Sequence, residues 1–312
     1  MFSIVSRDER WSLGSPDILH DQRLAHGEAT LFGSDILATD AVDRELVDLC
    51  EREMDAARSA VLGGQARLGA RVVATARRTP SSVITESVIT FSAGALSVVT
   101  SPVHAQADRE RLVRIASREI DRSVEPHGVP MIWKNGSASV LLHEAAGHPA
   151  EHGQAAIRWP AWLSVRDEPS FNIDDAGRSV EPVDLLRGER PTAMRRSSFA
   201  DVPLPRLSNI VVRHDGAPFE KPATHLDILL IAGGRYDPLT ETVSIFVAAA
   251  DLVKDGVTRG VRPFVIRESR ERIASAIRGA RGEPERYPGV ICSAEGQEIF
   301  VASHAPEILV VF

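Results

Sequence analysis

The chain has 312 residues, 36 basic and 43 acidic side chains for a net charge of −7, and two cysteines. That length suits one large domain or two ordinary ones, and a hydrophobic content of 43% supports a packed core and argues against disorder. The mild acidity disfavours nucleic acid or an anionic membrane as partner; two distant cysteines, no basic-then-apolar leader and no run of apolar residues long enough to span a bilayer point to a cytoplasmic chain with reduced thiols.

In chain order, residues 1–40 read as short strands and turns punctuated by Gly14, Pro16, Gly27 and Gly33. From Thr39 or Asp40, either of which can cap a helix, Val42, Leu46, Leu49, Cys50, Met54, Ala57 and Val61 recur at helical spacing up to Gly63-Gly64, which places Cys50 on a buried stripe. Residues 72–76 and 87–91 are β-branched and partly alternating, so strands are expected there. Leu112, Ile115, Ala116 and Ile120 predict a helix over 106–122. Pro126, Gly128 and Pro130 then break the chain and divide it into a small N-terminal α/β domain, 1–125, and a larger strand-rich domain, 126–312.

In the second part a short apolar strand at 131–133 leads through Asn135-Gly136 into a helix starting near Ser137. Residues 160–220 hold seven prolines and an acidic Asp174-Asp175 and read as loop-rich. Strands are expected at 226–232, 242–250 and 261–266, then a helix over 268–280 with Ile273, Ala276 and Ile277 inward, then strands near 290–292, 299–301 and 308–312. Strands and helices do not alternate regularly, so the expected fold class is α+β rather than a doubly wound sheet.

The most informative segment is His143-Glu144-Ala145-Ala146-Gly147-His148. Two imidazoles with an adjacent carboxylate follow the logic of zinc hydrolases, in which histidines hold the ion and a glutamate acts on water. The histidines are five apart, however, and five steps at about 100° leave the second roughly 140° away from the first on a regular helix. One ion can take both only if the helix carries an extra residue, as in a π-bulge, or unwinds before His148. Gly147 and Pro149 suit such a break, and Pro149 disfavours the α conformation at His148.

Residues 142–148 followed by Glu151 resemble the signature of the TldD/PmbA family of metallopeptidases, and other segments match in order. Val165-Arg166-Asp167-Glu168-Pro169 with Asp174-Asp175-Ala176-Gly177 resembles its acidic loop, and Pro205-Arg206-Leu207-Ser208-Asn209 its Arg-x-x-Asn segment. The run from Ala232 through Gly233-Gly234 to Thr240 is similar to its Gly-rich strand entry, Asp255-Gly256 to a turn between strands, and Cys292-Ser293-Ala294-Glu295-Gly296-Gln297 to its Cys-Gly-Lys-x-Gly-Gln segment.

The resemblance implies that His143, His148 and Cys292 hold Zn2+ and that Glu144 is the general base for a peptidase acting on unfolded or small peptides, including modified precursors. It implies Glu151 either as a carboxylate orienting a ligand or as a solvated helix-end residue. Gly233 and Gly234 stand either near substrate or at a strand-end turn, and Arg206 and Asn209 either order the loop or contact peptide. It also implies a homodimer, or a heterodimer with a related subunit. His152 and Gly153 stand where the family has glycine and aspartate, and the N-terminal domain reads as shortened. The alternatives are a non-catalytic scaffold or peptide-binding partner subunit, and an amidase acting on a non-peptide substrate.

Overall fold

A computed structural model describes residues 2–11, 52, 68–78, 83–93, 96–174, 178–195, 204–216, 218–294 and 297–312. The N-terminal part is an antiparallel meander of β1 (Phe2–Trp11), β2 (Leu68–Arg78), β3 (Val83–Ala93) and β4 (Leu96–Thr100). The strands expected at 72–76 and 87–91 fall in β2 and β3, whereas the helix expected to carry Cys50 lies outside the described residues. Ile89, Phe91 and Ala93 of β3 alternate inward, as a half-buried strand requires.

The helix α1 (Ala105–Ala116) buries Leu112 and Ile115 in the main core. It ends before the expected residue 122. The Ser117 hydroxyl turns back onto the Val113 carbonyl, and the chain then pairs with Gly260 and Val261 as β5 (Ile120–Asp121), leaving Ile120 49% exposed instead of inward. After β6 (Met131–Trp133), Asn135 and Gly136 both take positive φ, 51° and 77°. A Cβ on Gly136 would lie 2.5–2.9 Å from backbone atoms of residues 285–287, so glycine is required by both conformation and space. This turn feeds α2 (Ala138–Leu142), a π turn (His143–Gly147) and α3 (His148–Glu151).

The proline-rich region is less irregular than expected. It contains β7 (Leu163–Asp167), β8 (Val183–Asp184), β9 (Met194–Arg195), β10 (Leu204–Pro205) and β11 (Asn209–His214), with β7 alternating inward on Leu163, Val165 and Asp167. Next come β12 (Thr224–Asp237) and β13 (Thr242–Lys254), both longer than the apolar runs that announced them, then β14 (Val257–Val261) and β15 (Phe264–Ser269). The single strand expected at 261–266 is thus two, split around Pro263, which cannot donate to a ladder. The helix expected over 268–280 is α4 (Arg270–Ala276); Ile273 and Ala276 are buried in it, but Ile277 has ψ 118° and opens β16 (Ile277–Ala294). With β17 (Gln297–Val310), β16 absorbs most of the three closing strand segments into one long hairpin.

Among the described residues, fifteen of these strands form one sheet, an α+β arrangement as expected. β17 pairs with β16 on one side and β6 on the other, β6 runs parallel to β12, and β13 and β14 follow. The sheet continues past residue 125, because Val99 of β4 sits opposite Gly289 of β16 and β5 pairs with β14. A parallel neighbour needs a crossover, and here the crossover between β6 and β12 contains α2, the π turn and α3. Every residue of α2 is buried, with Leu141 and Leu142 fully covered and Trp133 in the same core. Burial of this helix on every side, with the Ser139 hydroxyl donating to the Gly136 carbonyl at 2.6 Å, fixes the depth and rotation of the turn that follows it. No described helix is long and apolar enough to cross a membrane.

Candidate metal centre

The π turn resolves the spacing of the two histidines. The His148 N–H donates to the His143 carbonyl, a five-residue step that adds one residue to the turn and stacks the two side chains on one face. Their rings meet edge to face with centroids 4.7 Å apart. His148 itself is α-helical (φ −58°, ψ −41°), contrary to the effect expected of Pro149. Pro149 lies in the first turn of α3, where its missing N–H costs nothing. Gly147 fits here for lack of space: a Cβ would come within 2.6 Å of Leu207 Cδ1. A widened turn leaves its carbonyls poorly paired, and the Arg270 guanidinium, itself 3% exposed, donates to the Ala145 carbonyl at 3.3 Å.

Cys292 arrives from β16 across the cleft. The donor atoms of His143, His148 and Cys292 all lie within 4.8 Å of one another, and all three residues are buried. Cys292 Sγ is 3.5 Å from His148 Nε2. Two such donors on one tetrahedral zinc would be about 3.6 Å apart, from the usual Zn–S and Zn–N lengths. His143 Nδ1 and Glu144 Oε2 are buried without a hydrogen-bond partner, the latter 3.6 Å from His148 Nε2, as groups around an ion site would be. Two imidazoles and a thiol with unspent polar atoms beside them therefore fit a divalent ion of zinc's preferences.

Around this cluster the charges are paired. His148 Nδ1–H donates to Glu151 Oε2 at 2.6 Å, which fixes the tautomer and turns Nε2 toward Cys292. Glu151 Oε1 accepts from the Leu207 N–H at 2.8 Å and from Arg206 Nε at 3.3 Å. Of the two readings of Glu151, the structure places it as a buried carboxylate on a histidine rather than in solvent. Burial alone would raise its pKa, but the His148 bond and the Arg206 charge hold it at about 2. Burial also opposes charge on His148, and its bonds to Cys292 and Glu151 outweigh that and raise it well above the ordinary imidazole value. For the Cys292 thiol, burial pushes up and the two imidazoles pull harder, to about 5, so the sulfur is a thiolate at neutral pH, the form that binds metals. Glu144 is raised, chiefly by burial.

A cleft of ≈ 450 Å³ opens onto these residues, lined also by His152, Gly233, Gly234, Tyr236, Phe246 and Ile291. Gly233 and Gly234 belong to β12 itself, opposite Phe246 and Ile245, just past a register shift between Ile231 and Gly233; neither is a strand-end turn. The bulge carries the β12 backbone up to Glu144: a Cβ on Gly234 would be 2.6 Å from Glu144 Oε1, while one on Gly233 would meet nothing within 4 Å.

Arg206 and Asn209 do not line the cleft. Arg206 is 4% exposed and donates to Cys292 Sγ at 2.9 Å and to the Cys292 carbonyl at 3.3 Å. Asn209 gives its backbone N–H to Asp167 Oδ1 at 2.8 Å. Both bonds tie the segment 206–209 to its neighbours, the first of their two expected roles. Sequence reasoning noted His152 only as a departure from the family pattern and Tyr236 only within the glycine-rich run, and it passed over Arg270 beneath the π turn, which carries no local motif.

No family model matches the chain, and no curated protein matches it. Among solved structures it has the fold of TldE from Thermococcus kodakarensis, with a TM-score of 0.56 at 10% sequence identity over 99% of this chain and 94% of that one. The fold that the sequence resemblance implied is the fold observed. A Bacteroides thetaiotaomicron protein described as a candidate modulator of DNA gyrase aligns over 90% of this chain and 74% of its own at 13% identity, with a TM-score of 0.46.

Proposed function

We propose that this chain is a zinc-dependent peptidase of the TldD/PmbA type, hydrolysing unfolded or small peptides in the cleft between the π turn and β16. The observation that carries the reading is the convergence of three buried donors, His143, His148 and Cys292, beside the carboxylate of Glu144. Three protein donors leave a fourth position for a reactant. The ion would supply Lewis-acid polarisation of water and of the scissile carbonyl.

The rest of the chemistry falls to the chain. Glu144, 5% exposed and with its affinity for a proton raised by burial, takes a proton from the attacking water and returns it to the leaving amine nitrogen as the C–N bond breaks. Glu151 holds the His148 ring in one tautomer throughout. Gly234 is taken up by Glu144, whereas Gly233 borders open space in the cleft for a peptide main chain, and Phe246 and Ile291, 42% and 41% exposed, give apolar walls for its side chains. An extended, sequence-tolerant substrate fits such a trough better than a compact small amide. The proposed partner is a second copy or a related subunit.

The deciding experiment is hydrolysis of a panel of unfolded peptides and small amides by wild type and Glu144→Gln. The expected result is peptide cleavage by wild type and its loss in Glu144→Gln at unchanged metal content. Full cleavage by the variant would refute the mechanism, and cleavage of small amides alone would reassign the substrate.

A further inference from the structure

The sulfur of Cys292 has more partners than a metal ligand needs. We propose that Arg206 is a positioning residue that tunes the Cys292 thiolate as a metal donor. This rests on the metal-site reading above and extends it to a residue that touches neither ion nor substrate.

The geometry is specific. One terminal nitrogen of the guanidinium reaches both Cys292 Sγ, at 2.9 Å, and the Cys292 carbonyl, at 3.3 Å, so sulfur and main chain are gripped together and the side-chain rotamer is fixed. The Nε edge of the same group bonds Glu151 Oε1, whose other oxygen holds His148. Arg206 thus ties the thiolate of β16 to the histidine of α3 through one planar, always-charged fork, which lysine could not reproduce. It is 4% exposed, and a cation at that depth persists only beside strong acceptors; Cys292 Sγ and Glu151 Oε1 are two of them.

The consequence for a bound ion follows from charge. A divalent ion and Arg206 would both offset the negative charge of Glu144, Glu151 and the Cys292 thiolate. A hydrogen bond from a cation also draws electron density from sulfur, which weakens its donation and leaves the ion a stronger Lewis acid. Without Arg206 the site carries an extra negative charge, the sulfur donates more strongly, and its orientation is lost.

The test uses the full chain loaded with Co(II), whose sulfur-to-metal charge-transfer band reports sulfur donation directly. Wild type, Arg206→Met, Arg206→Lys, Arg206→Ala and Cys292→Ser are compared. The expected result is a band in wild type that is absent in Cys292→Ser and moves to longer wavelength in Arg206→Met, with a smaller move in Arg206→Lys. Adding millimolar guanidinium to Arg206→Ala returns it toward the wild-type position, which a merely structural role would not produce. An unmoved band in Co(II)-loaded Arg206→Met or, should that variant not fold, in Arg206→Lys overturns the inference while leaving the metal site standing. A wild-type protein that shows no such band overturns the metal-site reading itself.

Discussion

Gly233 and Gly234 are adjacent in β12, yet an alanine at each should behave differently. A Cβ on Gly234 would lie 2.6 Å from both Cδ and Oε1 of Glu144, and one on Gly233 would lie in open space. Glu144 Cγ would be nearer still, and ordinary contact begins near 3.4 Å, so Gly234→Ala requires Glu144 or the strand to retreat by about 1 Å. Glu144 cannot move far, because it sits on a π turn clamped between the buried helix α2 and Arg270. Overpacking of this kind costs about 1–3 kcal/mol of stability. A displacement approaching 1 Å of a catalytic group costs about 100-fold in rate. The assay is a pair of measurements on both variants: urea unfolding, and peptide kcat/KM at verified metal content. Gly234→Ala should lose stability and about 100-fold in kcat/KM with metal retained, and Gly233→Ala should stay within a few-fold of wild type. Equal behaviour of the two variants would refute the packing argument whatever the substrate proves to be.

Asp167 gives a pH prediction. Burial raises its carboxyl to about 6 from 3.8, against the pull of the Asn209 and Ser208 N–H groups. A raised folded-state value means that the unfolded chain loses its proton first, so the contribution is fully present below pH 4 and is lost as pH rises through 6. Urea unfolding should show wild type losing up to about 3 kcal/mol relative to Asp167→Asn between pH 4 and 7; a difference constant with pH would contradict the assignment. Arg270→Met strips the Ala145 carbonyl of its donor and should cost about 1–3 kcal/mol together with weaker metal binding. Unchanged unfolding and metal titrations in that variant would show that the π turn does not depend on Arg270.

What the sequence could reveal of the site was local or carried by resemblance. The five-residue spacing of His143 and His148 demands an added residue in the helix, and the π turn supplies it. Asn135-Gly136 and the apolar strand before it were legible because turn chemistry is a short-range signal. Pro149 misled, since the bias of a pre-proline residue away from the helix yields when the proline sits in a first turn. Ile120 misled because strand pairing with Gly260, 140 residues away, overrode helical periodicity. Arg206 looked like a loop or peptide contact because nothing in its neighbourhood shows that Cys292 will arrive beside it from β16. Gly234 could be read as special but not as the glycine that makes room for Glu144, because the β12 bulge that brings them together belongs to the sheet.

The most direct test of the account is metal analysis of the purified chain combined with X-ray absorption at the metal edge, for wild type and Cys292→Ser. The account predicts one zinc per chain with one sulfur at about 2.3 Å and nitrogen donors at about 2.0–2.1 Å, and loss of the sulfur shell with most of the metal in the variant. Wild-type protein that folds but holds no stoichiometric metal, or holds it without sulfur, would contradict it.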